Sequence, residues 1–213
     1  MYFKQENTSE VGFFGYNGGK ISNVGILNSY FCGFSQVGGV CGYNSSTITN
    51  CYNKGVVDGT ADGASSFGGV CGCNLGILTN CYNTGIVKGQ SLVGGVSGSN
   101  NKTITNGYNT GIVKGQSFVG GVSGSNNKTI TNCYNTGIVS GQSYVGGVNG
   151  YNGNGTIINC NATGEVNGTD SYVGGVIGMN LRNGTITNCY YDSTIYTGNA
   201  IGANLSLIHI SEP

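Results

Sequence analysis

The chain has 213 residues, of which 42 are glycine and 29 are asparagine, so two turn-forming residue types make up a third of it. Glycine does not recur at every third position and proline occurs once, which excludes collagen, while 38% hydrophobic residues, including 14 tyrosines, exclude plain disorder. Only 8% of the residues are charged and the two signs cancel, so we expect neither nucleic acid nor an anionic membrane as a partner.

Residues 1–10 precede the first repeat, and we interpret them as an irregular segment. They contain no basic stretch followed by an apolar one, so no signal peptide is visible. No run approaches the roughly 18 consecutive apolar residues that cross a bilayer, and we expect no membrane insertion. We interpret the sequence as a fragment of a longer protein.

A repeat begins at Val11 and continues to residue 198, and we interpret residues 11–198 as a single domain. Its most regular element is the triplet Gly-Gly-Val, which starts at positions 38, 68, 94, 120, 146 and 174. Two consecutive copies, 93–118 and 119–144, differ at only three positions. Where the spacing grows, the extra residues are mostly Gly, Asn, Asp, Ser and Thr, which are typical of loops. The apolar positions therefore keep their register.

Each repeat contains three short stretches rich in β-branched and aromatic residues, for example 118–122, 129–134 and 137–139, with no helical periodicity. Three strands in about 26 residues cannot bury a face alone, but coils stacked about 4.8 Å apart, with parallel strand pairing, give every repeat a neighbour. The repeat therefore predicts an all-β fold, a right-handed parallel β-solenoid of about six to seven coils with three short strands per coil.

The sequence also predicts a corner within each coil. Ile130 and Cys133 both favour burial, yet a spacing of three would send them to opposite faces of a regular strand. Asparagine tolerates the left-handed backbone of a sharp bend, and it occupies the position between these two in each repeat, at 50, 80, 106, 132, 159 and 188, with Leu78 in place of Ile in one repeat and Gly107 in place of Cys in another. We expect these asparagines to form a hydrogen-bonded ladder. We expect a column of tyrosines to lean outward as the candidate ligand contact: Tyr52, Tyr82, Tyr108, Tyr134 and Tyr190.

Two repeat positions are rich in cysteine. One position holds Cys51, Cys81, Cys133, Cys160 and Cys189, and another holds Cys41 and Cys71. Stacking would bring equivalent cysteines close enough for disulfides, which is one interpretation for the pairs Cys51–Cys81, Cys133–Cys160 and Cys41–Cys71. A column of buried thiols that act as small hydrophobes is the other interpretation, and we favour it.

Metal and cofactor sites are not indicated. Cys71 and Cys73, with Cys81 nearby in sequence, lack the C-x-x-C spacing that is common in structural zinc sites. The glycine-rich turns carry no repeated Asp of the kind that binds calcium in parallel β-rolls. We therefore expect neither a metal nor a cofactor.

Catalytic residues are scarce. The only histidine is His209, so a Ser-His-Asp or Cys-His arrangement within the repeats is excluded. Asp58 and Asp62 border an insertion, and paired carboxylates there would suit a polysaccharide-active β-helix enzyme. We favour solvated turn residues instead and expect no enzymatic activity.

Four repeats contain Thr-x-Thr, which resembles the hydroxyl array of ice-binding solenoids. The pairs are Thr47/Thr49, Thr103/Thr105, Thr129/Thr131 and Thr185/Thr187. Ile77 and Ile158 interrupt the array. Ice binding is one interpretation of this array. The simpler interpretation, which the interruptions favour, is that β-branched residues fill strand positions.

The end of the chain differs in composition from everything before it. We interpret 199–213 as an irregular tail. Within it, Leu205 to Pro213 resemble the translation of a transposase-type sequencing adapter, so we treat them as an artefact and exclude them, together with His209, from fold reasoning.

The repeated Gly39-Val-Cys-Gly42 and Gly121-Val-Ser-Gly124, followed by Asn and then by Thr-Ile-Thr-Asn, resemble the units of the GLUG motif family. The resemblance extends from about Val11 to Asp192, where Gly184-Thr-Ile-Thr-Asn188 stands in the last unit. It implies a stalk or adhesive region of a large bacterial surface or secreted protein, and it implies no catalytic residues.

These observations lead us to expect a non-enzymatic repeat scaffold outside the cell, an extended spacer or adhesion module on a bacterial surface. Its partners would be host or matrix glycans or proteins, contacted through the tyrosine column, because aromatic rings with neighbouring amides suit both. We expect no obligate oligomer.

Overall fold

The computed structural model describes residues 1–59 and 63–205. These residues form 34 β-strands, which pair in parallel in one 12-stranded, one eight-stranded and two seven-stranded sheets. Neighbouring strands in each sheet come from successive turns of the chain, so the fold is a β-solenoid of about seven turns. The predicted all-β solenoid is confirmed. The described residues include no helix long and apolar enough to span a membrane.

A complete coil consists of five short strands, which we number 1 to 5 in chain order. In one coil they are Ser91–Gly94, Ser97–Asn100, Thr103–Thr105, Tyr108–Asn109 and Ile112–Lys114. The prediction of three strands per coil is therefore too low. Strand 2 consists of Ser, Gly and Asn, which have low β propensity and give no sequence signal, and Asn106 splits one predicted stretch into strands 3 and 4.

Equivalent strands of successive coils form five ladders, named ladder 1 to ladder 5 after the strand they contain. Ladder 1 comprises Tyr30–Gly38, Ser65–Gly68, Ser91–Gly94, Ser117–Gly120, Ser143–Gly146 and Val173–Gly174. Ladder 5 comprises Tyr30–Gly38, Val56–Gly59, Ile86–Gly89, Ile112–Lys114, Val139–Gly141 and Val166–Gly168. The long strand Tyr30–Gly38 belongs to both ladders, because its two halves pair with different strands of the next coil.

The other three ladders each form a separate sheet. Ladder 2 comprises Phe14–Asn17, Cys41–Asn44, Cys71–Asn74, Ser97–Asn100, Ser123–Asn126, Asn149–Asn152, Ile177–Asn180 and Ile201–Asn204. Ladder 3 comprises Lys20–Ser22, Thr47–Thr49, Ile77–Thr79, Thr103–Thr105, Thr129–Thr131, Thr156–Ile158 and Thr185–Thr187. Ladder 4 comprises Gly25–Ile26, Tyr52–Asn53, Tyr82–Asn83, Tyr108–Asn109, Tyr134–Asn135, Asn161–Ala162 and Tyr190–Tyr191.

Both ends of the described chain extend the sheets beyond the predicted repeat. Residues 1–10, predicted to be irregular, contribute to the strand Tyr2–Val11, which pairs with Tyr30–Gly38. Its side chains are mostly exposed, so its sequence shows no alternation of polar and apolar residues. In the predicted irregular tail, Ile201–Asn204 forms the last strand of ladder 2. Of the excluded residues 205–213, including His209, only Leu205 lies within the described part of the chain.

The core consists of columns of small aliphatic residues and thiols. In the coil that starts at Ser91, Val93, Val96, Ile104 and Val113 are completely buried, and equivalent residues of other coils continue the same cluster. Each buried aliphatic side chain contributes roughly 1.5–3 kcal/mol. Ile130 and Cys133 both lie in this cluster, which confirms the predicted inward orientation of Ile and Cys.

The predicted asparagine corners are confirmed. The φ angle lies between 50° and 54° at Asn50, Asn80, Asn106, Asn132, Asn159 and Asn188. A second left-handed bend, which the sequence analysis missed, occurs in strand 1 at Gln36, Ser66, Leu92, Phe118, Tyr144 and Tyr172. Side chains other than Gly, Asn and Asp rarely adopt this conformation. Residue type therefore gave no sign of the second bend.

The Gly-Gly pairs are needed for close packing. A Cβ atom on Gly94 would overlap the carbonyl oxygen of Ser97, and one on Gly95 would overlap Gly121 and Asn109. Neither glycine has a left-handed φ, and Gly63 is the only described glycine that does. These glycines are therefore required for space between strands and coils and not for a left-handed backbone.

Candidate functional site

Ladder 4 carries a continuous stack of tyrosine rings on the outside of the solenoid. Tyr52, Tyr82, Tyr108 and Tyr134 are paired in register. The ring centroids of successive tyrosines lie 5.0, 4.6 and 4.8 Å apart, and successive ring planes are tilted by at most 9°. The separation matches the roughly 4.8 Å rise per coil. The strands therefore set the geometry of the stack.

The residue after each of these tyrosines points inward and fixes the strand. Asn53, Asn83, Asn109 and Asn135 are completely buried. Nδ2 of each of the first three donates to the Oδ1 of the next asparagine, at 2.9, 2.8 and 2.8 Å. Asn109 also accepts a hydrogen bond from the backbone N–H of Gly111 at 3.3 Å and donates to its carbonyl at 3.1 Å. The tyrosine stack thus lies directly beside a buried, hydrogen-bonded asparagine ladder.

The predicted asparagine ladder at the corner is present and exposed. Nδ2 of Asn80 donates to Oδ1 of Asn50 at 3.0 Å, and Asn106 donates to Asn80 at 3.0 Å. The series runs from Asn23 to Asn188 with distances up to 3.4 Å. It borders the tyrosine stack, since each corner asparagine lies two residues before the ladder 4 position.

A third asparagine ladder runs through ladder 2 and was missed by the sequence analysis. Its amides are linked from Asn17 to Asn204, with distances of 2.7–3.2 Å. From Asn44 to Asn180 every member is completely buried. The available signal was an asparagine at the same position in every repeat, at 17, 44, 74, 100, 126, 152, 180 and 204.

The predicted column of five tyrosines is interrupted. Asn161 pairs with Tyr134 on one side and with Tyr190 on the other, so one coil lacks the ring. Tyr134 is 38% exposed and Tyr190 is 44% exposed, whereas Tyr52, Tyr82 and Tyr108 are half-buried. At the other end, Lys54 Nζ lies 5.4 Å from the Tyr52 ring centroid. The structure therefore brings four of the five predicted tyrosines together and separates the fifth.

A second aromatic group, which the sequence analysis missed, lies on ladder 1. Phe118, Tyr144 and Tyr172 stack with centroids 4.7 and 4.9 Å apart, and Tyr151 meets the rings of Phe118 and Tyr144 edge-on at 5.3 and 6.5 Å. The stacked residues occupy the left-handed bend of strand 1. Their equal position in successive repeats was the signal that could have found them.

The nine cysteines are free thiols, and eight of them are buried. Those at the corner donate to the carbonyl two residues earlier, as Cys133 Sγ does to Thr131 at 3.2 Å. A hydrogen bond with Cys133 and burial raise the pKa of Cys160, whose Sγ also interacts with Cys189. Burial raises the pKa of Cys73 to about 11. This arrangement is that of small core residues.

Metal ligands are not clustered in the described residues. No group of three or more His, Cys, Asp or Glu side chains there is arranged to hold a metal ion. Cys71 is completely buried, and its Sγ donates to the carbonyl of Cys73 at 3.2 Å.

The proposed carboxylate pair cannot be assembled from the described residues, because Asp62 lies outside them. Asp58 Oδ2 accepts a hydrogen bond from the Tyr30 hydroxyl at 3.1 Å, and its Oδ1 is buried without a partner among the described residues. Burial and this hydrogen bond raise the pKa of Tyr30. Asp58 is thus a half-buried strand residue held by Tyr30, in contrast to the solvated turn residue that the sequence predicts.

The Thr-x-Thr residues form two parallel columns on ladder 3. Thr103 pairs with Thr129, and Thr105 pairs with Thr131. Ile77 and Ile158 occupy these columns in other coils. The threonines of the middle coils are half-buried, and the Ile between each pair faces the core.

Comparison with known proteins supports the repeat type. The family model of the GLUG motif matches residues 35–58 and 141–167. A crystal structure from Bacteroides ovatus, described as a "putative immunoglobulin A1 protease", shares the fold with a TM-score of 0.56 and 24% sequence identity. The match covers 89% of this chain and 56% of that chain, so this chain spans little more than half of its length. A search among curated proteins gives no match. The chain therefore contains GLUG-motif repeats.

Proposed function

We propose that the chain is a non-enzymatic repeat scaffold of a bacterial cell-surface or secreted protein, which serves as an extended spacer and as an adhesion module. The observation that carries the proposal is the continuity of the ladders from coil to coil. About seven coils with a rise of about 4.8 Å each span roughly 34 Å. Core columns and two buried asparagine ladders run along this axis. Such a stack suits a spacer that must keep its length.

The GLUG-motif matches support the scaffold role. The Bacteroides ovatus protein supports the fold alone, and its name as a protease applies to that protein. A longer protein could combine such a scaffold with a separate enzymatic or anchoring domain. The repeats would then need no enzymatic activity of their own to resemble part of a protein named a protease.

The adhesive role rests on the tyrosine stack and on the corner asparagines beside it. Together they offer aromatic edges, hydroxyl groups and amides on one side of the solenoid, and the partners we propose are host or matrix glycans or proteins. Few charges surround them, so recognition would depend on shape and hydrogen bonds.

Display of the chain on cells tests this proposal. We expect such cells to bind an array of glycans and matrix proteins, and the variant Tyr134→Ala to bind less. No binding by the parent, or equal binding by Tyr134→Ala, would contradict the adhesive role. Cleavage of immunoglobulin A1 or of any member of a polysaccharide panel by the purified parent, but not by Asp58→Asn, would contradict the non-enzymatic assignment.

A second candidate function is ice binding, which the in-register threonine columns of ladder 3 favour. Regularly spaced hydroxyl groups and methyl groups on a sheet face could match a crystal surface. Thermal hysteresis that disappears in the double variant Thr103→Lys/Thr129→Lys would support it. Absence of hysteresis and of recrystallisation inhibition in the parent would reject it.

A further inference from the structure

The interruption of the tyrosine column leaves a gap with the dimensions of one ring. Tyr134, Asn161 and Tyr190 occupy the same ladder 4 position in three successive coils. Two rises of about 4.8 Å separate the flanking tyrosines by about 9.6 Å. In the preceding coils the same separation accommodates a third ring, since Tyr108 lies between Tyr82 and Tyr134 with centroids 4.6 and 4.8 Å away. The Asn161 side chain is shorter than tyrosine and cannot fill this space.

No aromatic residue of ladder 4 lies between the two tyrosines that border the gap, because Asn161 occupies that position. Tyr82 and Tyr108 have a stacked ring on each face, so they offer mainly edges and hydroxyl groups to a ligand. Tyr134 and Tyr190 are the most exposed members of the column, at 38% and 44%. A flat group can therefore be held between two aromatic rings in this gap, whereas the continuous stack from Tyr52 to Tyr134 leaves no room between its rings.

The polar groups at the gap are amides. Asn161 is exposed, and its side chain makes no hydrogen bond with the described residues, unlike the corner asparagines in the neighbouring ladder. The segments that meet here, 131–135, 158–162 and 187–191, contain no charged residue. The charged residue that follows them, Asp192, has its carboxylate hydrogen-bonded to the N–H and the hydroxyl of Thr194 at 2.9 and 2.6 Å. These strands therefore offer no free counter-charge to an ionic ligand. A neutral ligand with hydroxyl groups could use both the donor and the acceptor of the Asn161 amide.

We infer that this gap binds a single neutral pyranose ring with equatorial hydroxyl groups, of the β-glucosyl type. Such a ring carries axial C–H groups on both faces, and these can pack against the negative faces of two aromatic rings. Its equatorial hydroxyl groups point outward from the ring edge, where they reach an amide. An axial hydroxyl, as in a galactosyl unit, would disturb one of the two stacked faces. The inference rests on the proposed adhesive function and names its ligand class.

Saturation-transfer difference NMR with methyl β-D-glucopyranoside tests the inference. Both faces of the sugar should receive saturation, namely H1, H3 and H5 on one side and H2 and H4 on the other. Methyl β-D-galactopyranoside should bind several times more weakly. Saturation of one face only, or no preference for the glucoside, would overturn the sandwich.

Asn161→Tyr is the decisive variant, because five other coils already carry tyrosine at this position and tolerate it. It should fold at least as stably as the parent and bind the glucoside at least tenfold more weakly. Asn161→Ala keeps the gap and removes the amide, so it should bind about two- to tenfold more weakly. Tyr108→Asn should open an equivalent gap and add a second binding site.

Binding of the glucoside by Asn161→Tyr as well as by the parent would overturn the inference. The adhesive function fails differently. If displayed Asn161→Tyr still binds the array while Tyr134→Ala does not, the adhesive role stands and the pyranose site is wrong. If the parent binds no component of the array yet binds the glucoside in solution, the site stands and the adhesive role is wrong.

Discussion

The side-chain amide of Asn74 donates from Nδ2 to Oδ1 of Asn100 at 2.8 Å, and both residues are completely buried. Asn100 in turn donates to Asn126 at 2.8 Å and to the Thr129 carbonyl at 3.1 Å. A buried amide without hydrogen-bond partners lowers stability, but each asparagine in this ladder provides a hydrogen-bond partner for the asparagines on either side of it. The chain thus keeps a polar column through its interior.

The buried ladder should therefore be sensitive to deletion of one amide. Asn100→Ala removes one hydrogen bond each from Asn74 Nδ2 and Asn126 Oδ1, which keep only the Thr103 carbonyl and the Lys128 N–H as partners. It also removes the amide donor to the Thr129 carbonyl, and we expect it to lower the free energy of unfolding by about 3 kcal/mol. Asn106→Gly, in the exposed corner ladder, removes an amide and keeps the left-handed φ of 53° accessible. It should cost under about 1 kcal/mol, since water replaces the lost partners. Urea unfolding measures both variants, and equal losses would contradict the role of burial.

The glycine pair should tolerate no side chain. Gly95→Ala places a Cβ against the Gly121 carbonyl and the Asn109 side chain, and we expect it to lower the free energy of unfolding by about 3 kcal/mol or more. Gly107→Cys is the control, because its nearest neighbours would lie 3.1–3.6 Å from the new Cβ and Cys occupies this position in adjacent coils. A fully stable Gly95→Ala protein would disprove the packing argument.

The left-handed bend at Leu92 predicts a stabilising change. Leu92 has a φ of 53°, which asparagine adopts more readily than leucine. Leu92→Asn should raise the free energy of unfolding by about 0.5–1 kcal/mol, as the strain is of order 1 kcal/mol. Val93→Asn, one residue later and completely buried, should be strongly destabilising. Thermal unfolding compares the two, and a destabilised Leu92→Asn would show that the side chain matters more than the backbone.

The raised pKa values of the buried thiols predict a loss of stability at alkaline pH. The pKa of Cys160 is raised by its hydrogen bond with Cys133 and by burial above the ordinary thiol value of 9.0. Above pH 9 the unfolded chain loses this proton while the folded chain keeps it, so the free energy of unfolding falls as pH rises. A single thiol contributes a slope of up to about 1.4 kcal/mol per pH unit.

Cys160→Ala should make this slope less steep by about 1 kcal/mol per pH unit between pH 9 and 10, where the unfolded thiol has lost half or more of its proton. Urea unfolding under reducing conditions at several pH values measures it, and comparison with the parent removes the contributions of tyrosine and lysine. An unchanged slope would show that this thiol titrates alike in both states.

The repeat period and the corner were predictable because they depend on local residue types. Asn132 between Ile130 and Cys133 indicated both the bend and the inward thiol column, and parallel stacking placed the tyrosines in register. The bend at Phe118 was not predictable, because phenylalanine has no preference for a left-handed backbone. Nor was the close approach of Gly98 to the backbone of Ser66 and Phe67, which joins residues of successive coils. Such contacts depend on tertiary packing.

The gap beside Asn161 was readable in principle and was missed. The sequence has Asn where the aligned repeats have Tyr, but the meaning of that difference depends on the face-to-face stacking of the rings. Only the register of the strands shows that Tyr134 and Tyr190 lie on either side of one coil that has no ring at this position.

The near identity of residues 93–118 and 119–144 would allow a whole repeat to be lost or gained without disturbing the fold. Each of these segments makes the same ladder contacts on its two sides, so removal or duplication of one whole unit would join surfaces that already fit. Recombination between the corresponding stretches of DNA would therefore shorten or lengthen the protein by one coil without a new interface. The length of the solenoid could then vary between generations while its cross-section stays constant.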